Sequence, residues 1–307
     1  IAGNHMGLPP SYYYPYTAER FDFEITHLEL TEDSIYLTDR LGNEAVSFIN
    51  DKSGEPFFLY LPFYTVHSPW EGRPDLVQKY EKIIGASDDT IQRDPQFLAM
   101  IESLDMNVGK VIEALENNGL TQKTFVIFVS DNGGLNVEKG NAVMGSYNRP
   151  LRGGKATLYE GGLRVPTILK WPGKIPTGKV SDELIISTDI FPTVIDALGL
   201  TPRTVIEGVS LWPHVTNGET LDRERFYWHY PHYHRTKPGS VIRDGDYKLI
   251  YYYEDDRSEL YNLVEDIGEK NDLSAEMPEK VKDLEEKLNT WLQVNRAKFP
   301  VPNKDYK

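Results

Sequence analysis

The chain has 307 residues, enough to bury a sizeable core as one large domain or as a large one with a smaller companion. Its 47 acidic and 33 basic residues leave a net charge of −14, which excludes nucleic acid as a partner, because a phosphate backbone requires a basic face. No apolar run approaches the roughly 20 residues of a membrane helix, so no membrane partner is expected, and with no cysteine there is neither disulfide nor thiol chemistry. The redox compartment stays open. The 19 tyrosines suit stacking against sugar rings as well as core filling.

Residues 1–20, IAGNHMGLPPSYYYPYTAER, are rich in Pro and Tyr and read as an irregular loop packing its tyrosines. Residues 31–50 carry an amphipathic pattern (Ile35, Leu37, Leu41, Ala45, Phe48, Ile49) that predicts a helix. The breaker KSGEP precedes a predicted strand, 57–63, with His67 just beyond its carboxyl end. A lone histidine there is more often a turn residue bonded to backbone. Residues 94–119 form the clearest predicted helix, with Phe97, Ile101, Leu104, Val108, Ile112 and Leu115 on one stripe and Asn117-Asn118-Gly119 as its stop.

That helix leads into an apolar β-type run, residues 125–129, read as a buried strand of an α/β sheet. Ser130-Asp131-Asn132-Gly133-Gly134 follows, placing a carboxylate and a carboxamide at the carboxyl edge of the sheet, where ligand sites of open α/β sheets lie. Adjacent Asp and Asn offer hard oxygens suited to Ca²⁺ or Mg²⁺. An Asx turn with glycines at positive φ accounts for the same five residues equally well. A polar loop with Arg149 and Arg152 then reaches Gly153-Gly154-Lys155, an ammonium on a flexible segment, and Glu160-Gly161-Gly162-Leu163-Arg164, where a Glu160–Arg164 ion pair is expected to shape the loop. Further strands are predicted at 167–171 and 183–187, and a helix at 189–198 ended by Gly199.

Beyond residue 217 the composition changes. Short aromatic strands at 225–230, 240–243, 247–253 and 259–263, split by Gly or Asp turns, predict a four-stranded antiparallel sheet. Pro278 opens a last helix with Val281, Leu284, Leu288 and Trp291 on one face. Between the first two of these strands lies His229-Tyr230-Pro231-His232-Tyr233-His234. Three histidines in six residues suit a transition metal or a plain polar loop.

Taken in order and at this spacing, SDNGG, GGKATLYEGGLRVP and the WPG turn resemble the sulfatase family of the alkaline phosphatase superfamily; FFLYLPFYTVHSPW, GVSL and IRDGDYKLIYYY…ELYNLVEDIGEKNDL add to the likeness. The resemblance covers almost the whole chain but only the later two-thirds or so of a sulfatase. It implies an α/β fold, an alkaline-phosphatase-like mixed sheet flanked by helices (1–217), with a small C-terminal α+β subdomain (218–307). It implies that Asp131 and Asn132 bind a divalent cation, usually Ca²⁺, that Lys155 and His67 contact the sulfuryl group, and that Asn4, His5, Arg152, His229 and His232 touch the substrate.

The expected activity is hydrolysis of a sulfate ester, with a sulfated carbohydrate as substrate; a phosphatase or phosphonate monoester hydrolase of the same superfamily is the alternative, and a non-catalytic binding protein another. The family's nucleophile, a formylglycine made within C/S-x-P-S-R, has no counterpart here, and neither the early Asp-Asp pair nor a G-K-W-H segment is present. The chain is accordingly expected to be a fragment, inactive alone, whose partner is the missing N-terminal segment. The N-terminus shows no signal peptide; separately, no N-x-S/T sequon occurs, which favours a periplasmic or secreted bacterial protein over a lysosomal one.

Overall fold

Asp94 starts the longest helix as its sequence foretells. Its Oδ1 accepts the backbone N–H of Gln96 (3.0 Å) and Phe97 (3.1 Å), and Pro95 stands in the first turn, where its missing N–H costs nothing. The computed structural model describes residues 11–14, 16, 35–86, 94–139, 142–301 and 303; for 137–139 and 142–144 only the backbone is considered. The chain forms two compact units, Ile1–Val126 with Leu135–Tyr147, and Ile127–Gly134 with Asn148–Lys307.

In the first unit, helices α1 (Leu37–Lys52) and α2 (Pro74–Gly85) both pack on α3 (Pro95–Asn117). Ile49 of α1 and Ala114 and Leu115 of α3 share an apolar cluster with Leu120, bordered by Phe57 and Leu59. Tyr12, Tyr16, Tyr36, Leu37 and Met100 form a second cluster, so tyrosines of the first loop are indeed packed. Helix α2 has no counterpart among the sequence expectations. Residues 57–63 are extended rather than a paired strand: Phe57 and Leu59 are half-buried while Phe58 and Tyr60 are 81% and 76% exposed. The alternation is that of a strand, but among the described residues no neighbour completes a ladder.

Strand β1 (Val126–Val129) pairs with β4 (Thr167–Lys170), and the loop between carries a hairpin, β2 (Asn136–Lys139) and β3 (Ala142–Gly145), where the sequence suggests only a polar loop. β1 is half-buried, not buried, and its Val129 is 38% exposed, because among the described residues β4 is its only strand neighbour. A single helical turn, α4 (Glu160–Leu163), precedes β4.

In place of the strand expected at 183–187, the chain runs unpaired into a 3-10 turn, Ser187–Asp189, and α5 (Ile190–Ala197). The reason is Asp189. Fully buried, it accepts the N–H of Ile186 and Val209 (both 2.9 Å) and pairs with Arg223, which folds the segment back on itself instead of into a sheet. Helix α6 (Trp212–Asn217) ends on Gly218 in the left-handed region.

The C-terminal sheet follows expectation closely: β5 (Arg225–Tyr230), β6 (Gly239–Asp244), β7 (Tyr247–Tyr252) and β8 (Arg257–Asn262) are antiparallel in sequence order. Period-two alternation divides its faces. Ile242, Leu249 and Leu260 pack under Leu284, Leu288 and Leu292 of α7 (Pro278–Val294). The other face presents Val241, Ile250, Tyr252 and Tyr261 to Leu158 and Tyr159. That second face ties the sheet to the segment around Lys155. The second compact unit holds the sheet, the GGK segment and the SDNGG turn together.

Candidate functional site

At the carboxyl edge of β1 the backbone N–H of Ser130 still reaches Pro166 O (3.3 Å), just before β4 begins, and the SDNGG turn starts there. Ser130 Oγ donates to Asn132 O (3.0 Å) and Asn132 N–H donates to Asp131 Oδ1 (2.9 Å), while the N–H two residues on, that of Gly133, goes to Gly162 O, so the Asx turn that the five residues suggest does not form. Asn132 Nδ2 donates to Gly133 O (2.9 Å). The carboxamide is thereby oriented by its nitrogen, which leaves Oδ1 without a hydrogen bond among the described residues, as does the outer oxygen of the exposed Asp131 carboxylate. Two hard oxygen donors thus sit side by side on one turn.

Gly133 is not there for positive φ. A Cβ on it would stand 1.8 Å from Gly161 O, so the glycine permits a direct backbone approach between the SDNGG turn and the EGG turn. That approach is closed by Gly133 N–H donating to Gly162 O (3.0 Å). The GGK segment joins the same place: Lys155 N–H donates to Gly134 O (3.0 Å), and Asn148 Nδ2 bridges Gly134 O (2.9 Å) and Gly153 O (3.0 Å). The three glycine-rich stretches form one backbone-bonded cradle. Lys155 is half-buried, and its ammonium has no hydrogen-bond or ion-pair partner among the described residues.

Arg152 has a different situation. Its guanidinium lies 3.9 Å from the centroid of the Tyr159 ring and donates to Tyr261 OH (3.0 Å) and Glu269 O (2.8 Å), so it fastens the segment before GGK to the C-terminal sheet. Burial, with Glu259 beside them, raises the phenol pKa of both Tyr159 and Tyr261, keeping these hydroxyls neutral donors to Glu259 Oε2 (2.9 Å each). The expected Glu160–Arg164 pair does not form. Glu160 is buried and turned instead toward Lys248, Nζ–Oε1 3.0 Å, while Arg164 is exposed.

His67 lies in the first unit, half-buried. Its Nδ1 donates to Ser68 O (2.7 Å), which fixes the tautomer and leaves Nε2 with its lone pair. His229 has both ring nitrogens engaged: Nδ1 with Ser240 Oγ (2.8 Å) and Tyr253 OH (2.9 Å), Nε2 with Lys298 O (3.0 Å). That is a fold-holding placement which no spacing rule reveals. His232 is exposed, edge-on to Tyr230 at 5.7 Å. The transition-metal reading of the three histidines finds no support, since among the described residues no group of three His, Cys, Asp or Glu side chains is placed to hold a metal. Asn4 and His5 lie outside the described residues. Among those residues no helix is long and apolar enough to cross a membrane.

The residues missed by sequence reasoning are Lys248 and Glu269, the buried partners of Glu160. A lysine within the apolar run YKLIYYY is the available signal, because a charge there needs a buried partner.

A family model described as Sulfatase matches residues 3–200, and one described as N-sulphoglucosamine sulphohydrolase, C-terminal, matches residues 154–298. A "Sulfatase" of Formosa agariphila is 38% identical over 310 aligned residues, covering 88% of this chain and 54% of the relative. The N-acetylgalactosamine-6-sulfatase of Canis lupus familiaris is 34% identical, over 68% of this chain and 37% of that protein. Among solved structures, Ps i-CgsB in complex with k-i-k-neocarrahexaose superposes with a TM-score of 0.73 at 27% identity, covering 86% of this chain and 56% of that one. The PsFucS1 sulfatase from Pseudoalteromonas sp. shares the fold at a TM-score of 0.66 and 24% identity, over 87% and 54% of the two chains. The chain spans about half the length of the curated relative it matches over most of its own length.

Proposed function

The chain belongs to the sulfatase family, and on that premise we propose that the protein of which it is part hydrolyses a sulfate ester of a carbohydrate. The observation that carries the reading is the cradle: hydrogen bonds from Gly133 to Gly162 and from Lys155 to Gly134 bring two oxygen donors and an ammonium without a partner among the described residues, 24 positions apart in sequence, onto one backbone framework.

Asp131 and Asn132 fit a hard divalent cation such as Ca²⁺, or Mg²⁺, by their donor chemistry, and they supply part of its coordination. A cation held there contributes positive charge against sulfuryl oxygens. Lys155 meets the same oxygens with its ammonium and stabilises the charge that gathers on them as the S–O bond breaks. His67, with Nδ1–H held on Ser68 O, offers Nε2 either as a hydrogen-bond donor to the sulfuryl group when protonated or as a proton carrier for the departing alkoxide. His232, exposed beyond β5, is the loop histidine whose ring nitrogens are open to a sugar hydroxyl. Arg152 and His229 serve by holding the segments that carry these groups. The nucleophile expected from the family, a formylglycine, is not a residue of this chain, and a periplasmic or secreted bacterial setting fits the relatives from Formosa and Pseudoalteromonas.

The test is turnover of an aryl sulfate and an aryl phosphate by the full-length protein, before and after chelation and with Ca²⁺ restored. Sulfate hydrolysis that disappears on chelation and returns with Ca²⁺ is the expected result. Preferential phosphate hydrolysis, or turnover indifferent to the chelator, overturns the reading.

A further inference from the structure

Behind the cradle lies a cluster that the reaction itself does not use. Lys248 is the second residue of β7, with a fully buried side chain on the sheet face opposite α7, together with Ile250 and Tyr252. Its Nζ is 3.0 Å from Glu160 Oε1 and 2.8 Å from Glu269 Oε1, and Glu269 is itself fully buried. The second contact lacks hydrogen-bond alignment, so the attraction there is Coulombic. Arg243, on β6, approaches Glu160 Oε2 at 3.7 Å. Two cations thus face two carboxylates away from water. Removing one partner of such a set leaves an uncompensated buried charge, which costs far more than the intact set contributes.

We infer that this Lys248–Glu160–Glu269–Arg243 cluster is the positioning device of the cation-and-sulfate cradle, a reading that rests on the function proposed above. The path is short and made of named bonds. Glu269 Oε2 accepts the backbone N–H of Glu160 (2.7 Å), the first residue of α4, so the cluster fixes both the charge and the backbone at the start of that turn. Two residues on, Gly162 O receives Gly133 N–H, next to Asn132. From the same turn Gly161 N–H donates to Arg152 O (2.8 Å), three residues before Lys155. A Cβ on Gly161 would lie 2.5 Å from both Arg152 O and Gly153 O, so this stack has no slack to absorb a shift of α4. Displacement of Glu160 is therefore passed to the oxygen donors and to the ammonium together. These are positioning residues, comparable to the outer-shell partners that orient metal ligands.

The experiment uses the full-length protein carrying Lys248→Met, and separately Glu269→Gln, a near-isosteric change that keeps an acceptor for Glu160 N–H and folds where the first variant does not. Leu288→Ala, which opens the α7 side of the same sheet, serves as a destabilised control. Ca²⁺ affinity by calorimetry and amide hydrogen exchange at Gly133 and Lys155 are read well below the melting temperature. The expected result is a roughly 10–100-fold weaker Ca²⁺ affinity, with faster exchange at Gly133 and Lys155, while Ile242 and Leu249 keep their protection. The control loses melting temperature but leaves both readouts unchanged. Unaltered affinity and exchange in a folded Glu269→Gln variant overturn the inference, as does a control that moves them equally. If the wild-type protein binds no Ca²⁺, the proposed function fails, and exchange at Gly133 and Lys155 still decides whether the cluster positions the turn.

Discussion

Gly133→Ala is the sharpest single probe of the cradle, because its effect follows from one distance. The new methyl would begin 1.8 Å from Gly161 O, whereas real Cβ contacts essentially never fall below 3.0 Å. The SDNGG and EGG turns must then separate by at least the difference, 3.0 − 1.8 = 1.2 Å, and the bond from Gly133 N–H to Gly162 O, 3.0 Å long, cannot survive that separation. A misplacement of about 1 Å at a reacting centre costs on the order of 10²-fold in rate. Overpacking of this kind adds a stability loss of about 1–3 kcal/mol. The assay compares Ca²⁺ affinity, aryl sulfate turnover and urea midpoint for the full-length wild type, Gly133→Ala and Gly85→Ala. At Gly85 an added Cβ meets nothing within 4 Å, so that variant controls for the substitution itself. A Gly133→Ala protein with wild-type affinity, turnover and midpoint would show that the two turns are not in contact, and the cradle would fall with them.

Lys155→Ala is expected to lower kcat by roughly 10²–10³-fold, as loss of an oxyanion donor does, with Ca²⁺ affinity kept within about threefold; near-normal turnover removes the lysine from the sulfuryl site. Asp131→Ala is expected to abolish Ca²⁺ binding in calorimetry while the far-ultraviolet spectrum stays unchanged, since the carboxylate is exposed and its one intramolecular bond is to the neighbouring N–H. At Asp244 burial works to raise the carboxyl pKa, but Lys287 (2.9 Å) and Arg225 (3.0 Å) outweigh it and hold the pKa below the ordinary 3.8. A depressed pKa gives stability that is present above 3.8 and lost as pH falls through the folded value. Asp244→Asn should therefore lower the urea stability by about 1 kcal/mol at pH 7, with the wild-type and variant curves converging below 3.8; an unchanged gap in acid refutes the assignment.

The C-terminal sheet and α7 were legible almost residue by residue, because their information is local. Alternation at Phe226, Val241, Leu249 and Leu260, turns such as Asp244-Gly245, and the Pro278 helix start each act within a few positions. The strands expected at 57–63 and 183–187 failed for a shared reason. A strand is defined by a ladder partner, and the sequence of one segment does not state whether that partner is in place. Phe58 and Tyr60 show the correct period with exposed side chains. In the second case Asp189 draws two N–H groups and Arg223 to itself, a set of hydrogen bonds that competes with any ladder.

The site divides along the same line between chemistry and position. Asp131, Asn132 and Lys155 were readable because an oxygen donor or an ammonium on a glycine-rich loop advertises its own chemistry. Sequence proximity pairs Glu160 with Arg164, whereas burial pairs it with Lys248. A carboxylate taken out of water needs the cation that is buried with it, and Lys248, 88 positions away, is fully enclosed while Arg164 stands in solvent. Arg152 reaches the Tyr159–Tyr261 face, where its planar guanidinium finds a ring, a hydroxyl and a carbonyl at once. Residues that hold a site therefore lie where a charge interrupts an apolar run, and Lys248 within YKLIYYY marks such a place in this chain.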